Sequence, residues 1–70
     1  MKKSWRDENG LTQKQGDMVR GIIKGDMRKT IADDLDIPIN TFDSEMKIIY
    51  DLSGTSGKVA LAFWGINNGY

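Results

Sequence analysis

The sequence contains no cysteine and no histidine, and only one proline. Without cysteine there is no disulfide framework, no zinc–thiolate site and no thiol redox centre. Without histidine, the usual serine-, cysteine- and zinc-hydrolase constellations cannot be assembled. Long hydrophobic runs are also missing. The longest, residues 59–64, falls far short of the ~20 residues of a membrane span, so no membrane partner is expected. The first five residues lack the apolar run of a signal peptide, and a cytoplasmic chain is expected. Excess charge of one sign is absent too: ten Lys and Arg balance ten Asp and Glu, which removes any global attraction to nucleic acid or anionic lipid. Seventy residues allow one domain with a small core. No residue set points to an enzyme, a cofactor or a metal.

What remains is helical spacing. Residues 1–10 are polar and charged, with Trp5 their only anchor, and read as a mobile tail. Residues 11–70 form the domain. Thr12 and Gln15 make a capping box with Leu11 as hydrophobic staple, so the first helix starts at Thr12. Its stripe is Met18, Val19, Ile22 and Ile23, and Lys24-Gly25 ends it. Gly16 and Gly21 each weaken it by about 1 kcal/mol relative to Ala. A second helix is expected over residues 27–35, capped by Asp26. Pro38 disfavours helix at Ile37 and forces a short turn. The third helix starts either at Pro38, as a first-turn proline, or after Asn40 as cap, and runs to about residue 52. Residues 53–57 are a glycine-rich loop, and residues 58–67 a last, strongly apolar helix. The loop Gly54-Thr55-Ser56-Gly57-Lys58 lacks the spacing and preceding strand of a phosphate-binding loop. The expected core is Leu11, Val19, Ile22, Ile31, Ala32, Leu35, Ile37, Phe42, Met46, Ile49, Tyr50, Val59 and Ala62. The fold class is therefore all-α, a four-helix helix-turn-helix domain.

The joint spacing of Leu11-Thr12, Gly25, Lys29, Ile31-Ala32, Leu35, Ile37, Thr41, Met46, Ile49-Tyr50, Gly54 and Gly69-Tyr70 resembles the LuxR/GerE-type helix-turn-helix domain, without a gap. The resemblance implies a DNA-binding transcriptional regulator. The third helix, about residues 39–52, would enter the major groove and the fourth would form a dimer contact. On that alignment Asn40, Thr41, Ser44 and Lys47 face the groove, with Arg28 and Lys29 toward the phosphates. Where the family has Gly, Asp36 stands here. Where it has Lys and His on the third helix, this chain has Asp43 and Glu45. Residues 26–51 hold three basic residues against seven acidic ones, so Asp43 and Glu45 at the groove would repel phosphate.

The acidic third helix keeps a second function open: an interaction module that pairs with, or inhibits, another transcription factor through its last helix. A third is the DNA-recognition domain of a phage packaging subunit, from the run Leu11-Thr12-Gln13-Lys14-Gln15. In the first two readings Phe63, Trp64 and Asn67 are the expected protein contacts. Phe63 and Trp64 cannot both enter so small a core, and Gly65 would admit a partner's backbone. The partners expected are thus double-stranded DNA and either a second copy of the chain or a heterologous factor.

Overall fold

A computed structural model describes residues 6–70. Among these residues the fold is all-α, with four helices: α1 (Gln13–Lys24), α2 (Arg28–Asp34), α3 (Ile39–Ser53) and α4 (Lys58–Asn67). The only extended pairing among the described residues is an isolated bridge between Arg6 and Thr12. The core comprises Leu11, Met18, Val19, Ile22, Ile31, Ala32, Phe42, Met46, Ile49 and Leu61. Leu35, Ile37, Tyr50 and Ala62 pack against it partly buried. Val59, expected in the core, is instead exposed. Helix α4 is apolar on nearly every side, so hydrophobic spacing does not identify its inward face. Contact with α1 selects Leu61 and Gly65.

The capping box forms as the sequence predicts. Thr12 Oγ1 accepts from the Gln15 backbone N–H, and Gln15 Oε1 accepts from the Thr12 N–H. The far ends of the helices share one device. Each ends on a residue of positive φ, followed by a residue whose N–H reaches back five positions. Gly25, Gly54 and Gly69 hold that position after α1, α3 and α4, and Asp36, at φ 57°, holds it after α2. The back-bonds are Asp26 N–H to Gly21 O, Ile37 N–H to Ala32 O, Thr55 N–H to Tyr50 O and Tyr70 N–H to Gly65 O. Aspartate tolerates the left-handed region better than most residues, but glycine enters it without steric cost. Asp36→Gly should therefore be neutral or stabilising by up to about 1 kcal/mol, and Asp36→Val destabilising by about 1–2 kcal/mol, in urea melts of the two variants.

Two helix starts differ from expectation. Asp26 does not cap α2. Its N–H is occupied in closing α1, and its carboxylate lies 3.4 Å from Lys24 Nζ, so Met27 becomes the N-cap and offers no side-chain bond. Pro38 is the N-cap of α3 rather than its first residue, and Asn40 lies inside the helix, exposed, without a capping bond. The prolyl carbonyl accepts from Phe42 N–H at 3.0 Å, which starts the helical ladder.

Residues 1–5 of the expected tail, Trp5 included, lie outside the described residues. Residues 6–10 do not form a tail. Asp7 Oδ1 accepts from the N–H groups of Asn9 and Leu11, which makes a local turn. Asp7 Oδ2 accepts from the Tyr70 hydroxyl, 63 residues away. Burial alone would raise the Asp7 pKa, but the bonds from Tyr70, Leu11 and Asn9 outweigh it and hold the carboxyl below its ordinary value. Tyr70 also stacks on Trp64, with centroids 5.8 Å apart, and lies beneath the Arg20 guanidinium.

Two helical glycines serve close packing. A Cβ on Gly21 would sit 2.8 Å from Ile31 Cγ1, and one on Gly65 would sit 2.6 Å from Val19 Cγ1. The helix propensity lost at Gly21 accompanies the approach of α2. Gly65, expected to admit a partner's backbone, instead admits α1 of the same chain.

Candidate nucleic-acid interface

Helix α3 buries Phe42, Met46 and Ile49 and turns the opposite side outward. Asn40, Thr41, Ser44, Lys47, Ile48 and Asp51 are all exposed, and their spacing of one, three and four places them on one face. Four of the six expected DNA contacts, Asn40, Thr41, Ser44 and Lys47, therefore share this surface. The other two, Arg28 and Lys29, open α2 and are also exposed. Short polar side chains with one lysine can exchange hydrogen bonds with base edges and neutralise a phosphate.

Asp43 couples α2 to α3. Arg28 Nε lies 3.3 Å from Asp43 Oδ1, and Arg28 Nη2 lies 3.2 Å from Oδ2, a two-pronged pair between exposed side chains. This bond, with the nearby negative charge, raises the Arg28 pKa above its ordinary value. Such a pair adds little to stability at the surface. Its consequence is that the Arg28 guanidinium already has an anion. Among the described residues neither Lys29 nor Lys47 is ion-paired.

Glu45 differs from Asp43. Its Oε1 accepts from Nε2 of Gln15 at 2.6 Å, and Gln15 is the one buried polar residue of the chain's described part. Glu45 thus ties α3 to α1, and it is half-buried rather than part of the exposed face of α3. Nothing local in the sequence marks a pair 30 residues apart. Glu45→Ala would strand the buried Gln15 amide. A loss of about 1–3 kcal/mol in thermal or urea unfolding is expected, whereas duplex affinity corrected for unfolding should not rise.

The expected protein contacts also divide. Trp64 is half-buried, packs on the core and stacks on Tyr70, so it belongs to the rim of the core. Phe63 is 64% exposed and continues into Val59 at 71% and Ile66 at 59%. At intervals of four and three these make one apolar stripe along α4. Asn67 is exposed at its C-terminal end. None of these groups forms a cluster able to hold a metal among the described residues, and no helix there is long and apolar enough to cross a membrane.

No family model, no curated protein and no solved structure matches the chain.

Proposed function

We propose that the chain is a small DNA-binding transcriptional regulator of the LuxR/GerE type that its spacing resembles. It acts in the cytoplasm, and α3 lies in the major groove. The observation that supports this most is the outward face of α3, where Asn40, Thr41, Ser44 and Lys47 stand together without a buried role. Arg28 and Lys29 flank that face from the start of α2 and approach the backbone. The stripe Val59, Phe63 and Ile66 supports pairing of two copies through α4, since a two-fold contact uses one patch twice.

A second reading draws on the Arg28–Asp43 pair. If Asp43 keeps Arg28 from phosphate, α3 does not bind DNA, and the chain is an interaction module that engages another transcription factor through the α4 stripe.

Binding to random duplex DNA across a salt series separates the two. A protein that neutralises several phosphates loses affinity with a slope of about −0.9 per phosphate in log–log form. Lys47→Ala should lower that slope by about one and weaken binding to all sequences. Absence of binding at low salt leaves the interaction module.

A further inference from the structure

Beyond the α3 face and the α4 stripe, the described residues carry two further features: the Asp7–Tyr70 clasp and a cleft where α3 meets the start of α4. The cleft carries an inference of its own. It has a volume of about 230 Å³, and Phe42, Met46 and Tyr50 form its apolar lining. Arg28, Lys47 and Lys58 also line it, with Asp43 as the one carboxylate, already paired with Arg28. Three cations around one apolar recess contrast with residues 26–51, where acidic groups outnumber basic ones seven to three.

We propose that this cleft docks an acidic segment of a partner protein through one bulky apolar side chain. Three observations set the chemistry. The recess is smaller than the roughly 300–1,000 Å³ of small-molecule sites, which suits a single side chain. Lysine stems readily cover apolar surface while their ammonium groups stay in water, so the lining attracts an apolar group and the rim attracts carboxylates. Lys58 is moreover the first residue of α4, whose first turn has no acidic residue and whose N-cap, Gly57, has no side-chain bond. A cation there opposes the helix dipole, and a partner's carboxylate beside it relieves the opposition. A DNA backbone brings charge but no apolar side chain to fill the recess. Because Arg28 and Lys47 belong to both surfaces, the acidic segment and duplex DNA exclude one another. The docking itself does not depend on DNA binding.

The test uses the intact protein and a short fluorescent peptide of glutamate and serine with one central phenylalanine, read by anisotropy. The peptide should bind about tenfold more tightly than its alanine counterpart. Lys58→Glu, at an exposed position, should weaken it by about tenfold without lowering the melting temperature, since a carboxylate suits the first turn of α4. Phe63→Ser, on the α4 stripe, should leave binding as it was. Equal binding of the two peptides, an unchanged Lys58→Glu variant, or loss of binding in Phe63→Ser would each overturn the proposal. So would an Lys58→Glu variant that loses duplex DNA while keeping the peptide, because the cleft would then belong to the DNA interface.

Discussion

Asp43→Lys should tighten binding to random duplex DNA at low salt and steepen its salt dependence by about one to two phosphates. Two changes add in one substitution. A negative charge beside the groove face becomes positive, and Arg28 loses the carboxylate it now holds through Nε and Nη2. Both guanidinium and new ammonium then become available to phosphate. Asp43→Asn separates the contributions: it removes the full negative charge without adding a positive one, and its expected slope lies between those of the parent and Asp43→Lys. Both positions are exposed, so stability should change little. If Asp43→Lys leaves duplex affinity unchanged at low salt, α3 is not the helix that meets DNA. Filter binding or anisotropy with the same random duplex reads all three proteins.

Ile31→Ala should cost about 2–5 kcal/mol, a large share of the stability of a domain this small. Ile31 is buried on α2, and its Cγ1 and Cδ1 fill the space that Gly21 leaves on α1. Truncation opens a cavity between two helices, and the backbone of α1 has no side chain at position 21 to collapse into it. Urea unfolding measures the loss. A cost below about 1 kcal/mol would mean that α2 is not held against α1 as described.

Those two residues also illustrate what the sequence makes legible. Ile31 and Ala32 read as core from their spacing, and the Gly at 21 reads only as a weak helix position. Its close approach to Ile31 depends on how α2 crosses α1, which no local pattern encodes. Helix ends were the clearest signals, because Thr12 with Gln15, and Gly25, Gly54 and Gly69, act within one turn of themselves. Where one residue has two possible local roles, spacing does not choose between them: Asp26 closes α1 and so does not cap α2. Long-range pairs left no trace. Gln15 meets Glu45 across 30 positions and Asp7 meets Tyr70 across 63, so Glu45 read as a groove residue and residues 6–10 as a tail. On α4 the apolar residues outnumber the positions that α1 can cover. Which of them stays outside depends on Gly65, not on hydrophobicity, and so Val59 and Trp64 changed places relative to expectation.

For the candidate site, spacing placed Asn40, Thr41, Ser44 and Lys47 on one exposed face of α3, where they are found. The sequence did not reveal that Arg28 is joined to Asp43, or that Lys58 lines a cleft with Lys47. Both follow from the packing of neighbouring helices.

The central claim, that this face of α3 meets duplex DNA, is tested most directly by following backbone amide resonances as random duplex is added at low salt. The largest shifts are expected at Asn40, Thr41, Ser44 and Lys47, smaller ones at Arg28 and Lys29, and none at Val59, Phe63 and Ile66. Shifts confined to α4, or no shifts at all, would contradict it.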